Sequence, residues 1–481
     1  MKHYMRCNVL DIDTLLREIK QEIKPKPEDY EKVKSIIEPV IDNIRKFSSK
    51  YSEVSEVSLQ GSLAKDTWIR GETDVDIFIL FKPETERDIL TSLTRKIAHK
   101  VFGVKRCKER FAEHPYITIE DFRGFRIDIV PCYKVPAGNL LSPTDRTPHH
   151  TRFIKEHFDE QLKDEARLLK KFTKGIDVYG AEIKKEGFSG FLCELLVLAY
   201  RSFMNVLERF SSGQLPIIVD LLKYYEDPSI LPEVFKSQFV VVDPVDRRRN
   251  VAAAVSPTRL SEFIAASQTF LTKPSKLFFY VTPFKPKKPE ILFKELERNQ
   301  RSIVGIMALI PVLPPDILWG ELKKALRIIV NRLKLEGFKV VKSSVWSDER
   351  EYSIFLIELE SRYLSRYVKR RGPPVTSSHS LKFAQLYGPG SAISGPWIEN
   401  NRWFILAERK WVDSVKFLEY LLSSACIENL GLPADLLSLW KSSQPQIFPS
   451  PEVASLAVNE NFSRFLDFFV DGRPRWLRIS F

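Results

Sequence analysis

The chain has 481 residues, 44% of them hydrophobic, which allows about three domains with sizeable cores. No apolar run approaches the ~18 residues that span a bilayer, Met1-Lys2-His3-Tyr4 shows no apolar leader, and five scattered cysteines without a C-x-x-C pair suggest neither a zinc site nor a disulfide framework. These features lead us to expect a cytoplasmic protein away from membranes, and a net charge of +12 favours a polyanionic partner.

In chain order, Val33, Ile36, Ile37, Val40, Ile41, Ile44 and Phe47 repeat at helical spacing, with Pro39 interrupting that face as a possible kink. A strand is expected near 54–59, then a Gly61-Ser62 turn, a strand from Asp74 to Phe81 and a helix over 87–102. Paired strands come next at 115–119 and 125–130 and complete a small α/β module. From Phe153 to Thr272 the pattern is mostly helical. Ser189 is placed to cap a helix that continues through Leu196, and 239–242 is a short strand stopped by Asp243-Pro244. The Pro/Lys stretch 283–289 reads as a linker. Beyond it come a strand (303–309), a helix (317–336) striped by Leu318, Leu322, Leu326, Ile329 and Leu333, and strands at 338–345 and 352–359. That α+β layout is shared by many functions. Arg362, Arg366, Lys369, Arg370 and Arg371, beside Tyr363 and Tyr367, are either RNA phosphate contacts or a solvated face. The aromatic-rich last stretch carries no readable motif.

The chemistry concentrates in two segments. In Asp74-Val75-Asp76 the carboxylates are two residues apart, so on a strand they share one face. Val75, Ile77 and Ile79 take the other face. Asp128, between Ile127 and Ile129, is a third carboxylate on a neighbouring apolar strand. Carboxylates of this kind suit Mg²⁺, and three can hold two ions about 3.5–4 Å apart. Backbone N–H groups of Gly61-Ser62 and the Ser62 hydroxyl can cradle phosphate oxygens, with Lys65 neutralising a triphosphate. In this order the segments make a nucleotidyltransferase metal site, which moves a nucleoside monophosphate from a triphosphate to an acceptor.

Further segments carry a family resemblance: Ala112-Glu113-His114-Pro115-Tyr116, Asp128-Ile129-Val130-Pro131-Cys132-Tyr133-Lys134, Asp145-Arg146-Thr147-Pro148, Arg167-Leu168-Leu169-Lys170, Val178-Tyr179-Gly180-Ala181-Glu182, Gly187-Phe188-Ser189-Gly190, and Val242-Asp243-Pro244-Val245-Asp246 through Arg249-Asn250-Val251-Ala252. With Gly61–Lys65 and the D-x-D strand, this set resembles the archaeal-type, class I CCA-adding tRNA nucleotidyltransferases. The resemblance implies an α+β multidomain protein: a polymerase-β-like nucleotidyltransferase head (1–150), a helical neck (151–275), and an α+β body and tail that bind tRNA (276–481). It implies addition or repair of the 3′-terminal CCA of tRNA from CTP and ATP with Mg²⁺ and without a nucleic-acid template. Asp74, Asp76 and Asp128 match the catalytic metal carboxylates. Ser62, Lys65, His150, Lys170 and Tyr179 match nucleotide-binding positions, Arg249 the base reader, and Glu113 and His114 a loop beside the growing end. The expected partner is the acceptor and T stem and 3′ end of tRNA, and a homodimer is compatible with the reading. Pro148-His149-His150-Thr151 departs from the family's aromatic-then-histidine pattern, which leaves His149 and His150 as alternatives. The C-terminal third matches only loosely.

Independent chemistry supports Arg249. An arginine donates paired hydrogen bonds to acceptor edges. C and A share a ring-nitrogen acceptor beside an exocyclic amine, whereas G and U present donors there. Two other readings stay open: a poly(A)- or oligoadenylate-type enzyme of the same fold, and a non-catalytic RNA-binding protein.

Overall fold

Alternating apolar residues along the strands and apolar stripes along the helices account for much of the secondary structure. The computed structural model describes residues 5–111, 115–280, 285–388, 391–457 and 459–477; Glu113 and His114 lie outside the described residues. The chain forms two compact units, Met1–Pro283 with Arg473–Phe481, and Phe284–Gly472.

The first unit opens with α1 (Met5–Ile23) and α2 (Pro27–Ser48). A proline in the first turn of α2 forgoes an N–H that the helix does not need, and Asp29 accepts from the Lys26 N–H. The helix is continuous through Pro39 and buries Ile37, Val40, Ile41 and Ile44. Then come β1 (Val54–Gln60), α3 (Gly61–Lys65), β2 (Asp74–Phe81), α4 (Arg87–Phe102), β3 (Lys108–Phe111), β4 (Pro115–Phe122) and β5 (Phe125–Tyr133). The strands form one sheet, β1-β2-β5-β4-β3, in which β2 and β5 run parallel and the other neighbours antiparallel. Val75, Ile77, Ile79, Ile127 and Ile129 pack with Ile41, Ile44, Leu90 and Ile97 under α2 and α4. Phe78, Leu80 and Cys132 form a smaller cluster on the opposite face, as period-two alternation requires. The expected Gly61-Ser62 turn is instead one turn of helix, α3.

Helices dominate the middle of the chain: α5 (Arg146–His157), α6 (Glu160–Gly175), α7 (Gly190–Tyr200), α8 (Phe203–Ser211), then β6 (Ile217–Val219), α9 (Leu231–Val234), β7 (Phe239–Val241) and α10 (Pro257–Thr272). Asp159, Ser189, Ser202 and Ser256 cap α6, α7, α8 and α10 through their side-chain oxygens. Phe172, Phe188, Phe203, Phe210, Phe263 and Phe270 are fully buried at the centre of this bundle. Among the described residues no single helix is long and apolar enough to cross a membrane; α7 and α8 together are apolar but bend by 90°.

The second unit contains α11 (Pro289–Arg298), β8 (Ser302–Leu309), α12 (Pro315–Leu335), β9 (Val340–Ser347), β10 (Tyr352–Leu359), β11 (Tyr367–Pro374), α13 (Ser380–Leu386), β12 (Ser394–Glu399), β13 (Arg402–Glu408), α14 (Ser414–Leu421), α15 (Ala434–Ser442), β14 (Gln446–Pro449) and α16 (Glu460–Asp471). One sheet runs β14-β8-β10-β9 and a second β11-β13-β12. The Leu318, Leu322, Ile329 and Leu333 stripe of α12 packs with Ile306, Phe355 and Ile357. Ile354 and Leu356, which alternate with that pair, pack with Leu292 and Leu466 from α11 and α16. The expected mixed α+β fold class is borne out.

Gly61 has φ +69°, and a Cβ there would lie 1.9 Å from Asp76 Oδ2. Left-handed backbone costs a non-glycine residue on the order of 1–3 kcal/mol, and the added methyl would displace the carboxylate. Gly61→Ala is therefore expected to lower the Tm by several degrees in thermal unfolding. An unchanged Tm would contradict this close approach.

Candidate active site

The parallel register of β2 and β5 sets Asp76 directly beside Asp128 and Asp74 beside Arg126. Across β1, Gln60 faces Asp76, and across β4, Thr118 faces Asp128. Asp128 Oδ1 accepts from the Thr118 hydroxyl at 2.5 Å, and its Oδ2 lies 3.3 Å from the Arg126 guanidinium. Burial, with Asp128 and Asp74 nearby, pushes Asp76 up from the usual 3.8 to about 6. Burial also pushes Asp128 up, against the Thr118 hydrogen bond and the Arg126 charge. Among the described residues no three His, Cys, Asp or Glu side chains already converge as a cation cage; Asp128 is turned toward Thr118 and Arg126. The donor set still fits a hard divalent cation. It is all carboxylate oxygen, it carries surplus negative charge, and burial with neighbouring carboxylates raises the pKa of Asp76. Arg126 escaped the sequence reading, although its place two residues before Asp128 puts it on the same strand face.

A second cluster forms where α3, α6 and α7 meet. Glu194 of α7 is 0% exposed, and Lys65 and Lys170 are 8% and 2% exposed. Lys65 Nζ donates to Glu194 Oε2 at 2.5 Å. Lys170 Nζ donates to Oε1 at 2.7 Å, as does the Thr67 hydroxyl at 2.5 Å. Burial opposes the Glu194 charge, yet Lys170 and Lys65 together pull its carboxyl down to about 2. Burial lowers the Lys170 pKa, against the pull of Glu194. A Cβ on Gly190, the first residue of α7, would lie 2.9 Å from the Tyr179 hydroxyl and 3.5 Å from Lys170 Cε. Tyr179 and Lys170 thus converge on the first turn of that helix. Ser62 lies in the short α3, which starts at Gly61, packed against Asp76, and ends at Lys65.

The next turn brings in the remaining candidates. The His150 ring stacks on Phe191 at 3.9 Å, and Lys65 Nζ lies 5.5 Å from the same ring centroid. His150 Nε2 is 2.9 Å from both oxygens of Asp243, and Arg249 Nη1 donates to Asp243 Oδ2 at 2.8 Å. Burial opposes the Asp243 charge, but the hydrogen bonds from His150 and Arg249 hold its carboxyl below the usual range. Burial lowers the His150 pKa, against Asp243. His149 turns elsewhere, with Nε2 2.9 Å from the Val135 carbonyl. Lys65, His150, Lys170, Tyr179 and Arg249 therefore gather around the start of α7, through Phe191, Glu194 and Asp243. The sequence reading passed over those three linking residues. The signals available were a carboxylate inside the apolar run Phe191–Leu198 and an aspartate after the apolar β7 strand.

The cations of the second unit are arranged differently. Arg362 makes two hydrogen bonds of 3.0 Å to Asp413, Arg366 pairs with Glu408 at 2.7 Å, and Lys369 pairs with Glu399. Three of the five are thereby neutralised locally. Arg370 and Arg371, on β11, make no ion pair among the described residues.

A sheet that aligns three aspartates, joined through a glycine-led helical turn to buried lysines, defines a nucleotidyltransferase. Family models agree: residues 41–159 match the nucleotidyltransferase domain, 164–280 the second domain of tRNA nucleotidyltransferase, and 299–431 the C-terminal domain of CCA-adding enzyme. The CCA-adding enzyme of Methanopyrus kandleri is 36% identical over 418 residues, 84% of this chain and 85% of that one. Those of Pyrobaculum islandicum and Methanothermobacter thermautotrophicus are each 36% identical, over 84% and 83% of this chain and 91% and 86% of theirs. The chain belongs to the family of CCA-adding enzymes.

Because the folded-state pKa of Asp76 is raised, the fold holds its proton more tightly than the unfolded chain does. Its contribution to stability therefore falls as pH rises from 3.8 to about 6. At neutral pH the charged carboxylate costs on the order of 2–3 kcal/mol. Asp76→Asn is expected to raise the Tm of the metal-free protein at neutral pH and to flatten its pH dependence in that window. A lower Tm with the slope intact would contradict the crowding of charge.

Proposed function

We propose that this chain builds or repairs the 3′-terminal CCA of tRNA, taking CTP and ATP as substrates without a nucleic-acid template. The observation that carries this reading is the side-by-side register of Asp76 and Asp128, with Asp74 two residues earlier, in a chain of this family. We read residues 1–150 as the catalytic head, 151–275 as the neck, and 276–481 as the RNA-holding body and tail.

Asp74, Asp76 and Asp128 would hold Mg²⁺, which when bound supplies charge neutralisation at the triphosphate and lowers the pKa of the attacking hydroxyl. The 3′ oxygen of tRNA bonds to the α-phosphorus, and pyrophosphate leaves. Lys65 and Lys170 meet the triphosphate oxygens, with Ser62 and Tyr179 donating hydroxyl hydrogen bonds. His150, flat on Phe191 and held by Asp243, gives the nucleotide a fixed wall. Arg249 has one guanidinium nitrogen anchored on Asp243. Its remaining N–H groups offer donors to the shared acceptor edge of C and A and meet donors on G and U.

An enzyme that serves every tRNA cannot depend on stem bases, and the A-form major groove is too deep and narrow for side chains to read. The acceptor and T stems are therefore held by phosphates and 2′-hydroxyls. Arg370 and Arg371 are the first candidates for these contacts.

The test is extension of tRNA lacking its 3′ end with one labelled nucleotide at a time. CTP should add two residues and stop. ATP should add one, and only to tRNA that already ends in CC. Minihelices of acceptor and T stem should serve equally, whatever their stem sequence. Runs of adenosine would favour a poly(A)-type enzyme, and no incorporation would favour an RNA-binding protein.

Two variants probe the roles. Arg249→Ala should slow incorporation and blur the rejection of UTP and GTP by roughly 1–3 kcal/mol, the worth of a paired base contact. A variant that is slow but equally selective would remove Arg249 as the reader. Replacing Arg370 and Arg371 by Ala should flatten the log–log salt dependence of tRNA binding by about 0.7–0.9 per lost phosphate contact. An unchanged slope would make β11 a solvated face.

A further inference from the structure

Glu194 has no role in the chemistry above, yet it sits at the centre of the lysine cluster. Phe191, Leu192, Cys193, Leu195 and Leu196 surround it along α7, and it is fully buried. A lone carboxylate in such a place would be expelled or protonated. It stays charged because Lys65, Lys170 and Thr67 all donate to it. These donors come from separate parts of the chain, 129, 24 and 127 residues away. One carboxylate thus pins α3 and the loop after it to α6 and α7.

The charge balance is as informative as the geometry. Two ammonium groups against one carboxylate leave a single net positive charge, so the site still attracts an anion. Without the carboxylate, two buried ammonium groups would repel each other, and each would disfavour the charged form of its neighbour. Lys170 is the more deeply buried of the two. It faces Glu194 and Cys193 from α7, Lys65 from α3, the Thr67 carbonyl and hydroxyl from the loop after α3, and Tyr179 from the segment after α6. Among these groups, only Glu194 is a carboxylate.

We propose that Glu194 is the positioning residue of the triphosphate site: it holds Lys65 and Lys170 side by side and both charged, so that the incoming triphosphate meets a ready-formed pair. The proposal rests on the reading of those lysines as triphosphate ligands. Glu194 itself touches no reacting atom.

The experiment compares KM for CTP and for ATP in the parent and in Glu194→Gln as a function of pH, with kcat measured at saturating nucleotide. Glutamine keeps the side-chain length and an acceptor for Thr67 but removes the charge. Titration of the triphosphate itself affects both proteins alike and cancels in the ratio. Toward the low end of the accessible pH range the variant should match the parent or bind nucleotide more tightly, and toward the high end its KM should rise to about tenfold that of the parent as Lys170 gives up its proton more readily. The kcat should stay within a few-fold. A KM ratio that is constant with pH would overturn the proposal, because a merely structural role weakens binding at every pH.

Should Glu194→Gln fail to fold, the double variant Glu194→Gln with Lys170→Met removes the buried pair together, a change that buried ion pairs often tolerate. Its KM should be raised, with a pH-independent ratio to the parent. A pH-dependent ratio would show that the titrating group is not Lys170 and would overturn the proposal. Lys170→Met alone separates the role of the lysines from that of Glu194. A KM unchanged from the parent would sink the triphosphate reading itself. A raised KM beside a pH-constant Glu194→Gln ratio would sink only the role of Glu194.

Discussion

The parallel register of β2 against β5 is the constraint on which the grouping of Asp74, Asp76 and Asp128 depends. Side chains alternate along a strand, so a slip of one residue would set Ile127 or Ile129 beside Asp76 and turn Asp128 toward the helix-covered core. That slip is opposed by the apolar half of the same strands. Ile77, Ile79, Ile127 and Ile129 are all fully buried under α2 and α4, and a one-residue slip of β5 would replace Ile127 and Ile129 in that core with Arg126 or Asp128 and their neighbours. The hydrophobic face thus sets the geometry of the charged one. Gly61 adds a second constraint from the end of β1, since only a residue without a Cβ fits beside the Asp76 carboxylate.

The two halves of the site carry opposite imbalances. On the sheet, three carboxylates outnumber the single Arg126, and burial raises the pKa values of Asp76 and Asp128. Around α7, Lys65 and Lys170 outnumber Glu194, and burial lowers the Lys170 pKa. In the proposed function, a nucleoside triphosphate with its divalent cation would bring positive charge to the aspartates and negative charge to the lysines. Prearranged charges of this kind stabilise a transition state without reorganising during the reaction. Asp243 plays a comparable part farther along, since one buried carboxylate fixes both His150 and Arg249.

Local physics made the sheet and its aspartates legible in the sequence. A period of two exposes which residues share a face, and Asp74, Asp76 and Asp128 stand out against isoleucines. Ser189 could be named as a cap because a cap is a short-range device. The partners of Lys65 and Lys170 were not legible, because Glu194 lies 129 and 24 residues away and no periodicity links them. Neighbouring histidines were equally opaque. Successive residues on a helix point about 100° apart, so packing alone sends His150 to Asp243 and His149 to Val135. The short β6, only Ile217–Val219 after a proline, and β14, Gln446–Pro449, gave too little alternation to register as strands. The Arg362–Arg371 run read as open charge because Asp413, Glu408 and Glu399, which neutralise three of its members, come from later segments.

The central claim is that the β2–β5 register assembles one divalent-cation site, with the triphosphate on the lysine side. Anomalous scattering from Mn²⁺ in crystals grown with CTP tests it most directly. Manganese is expected at Asp74, Asp76 and Asp128, with the triphosphate running toward Lys65 and Lys170. Manganese bound elsewhere, or a triphosphate that contacts neither lysine, would contradict it.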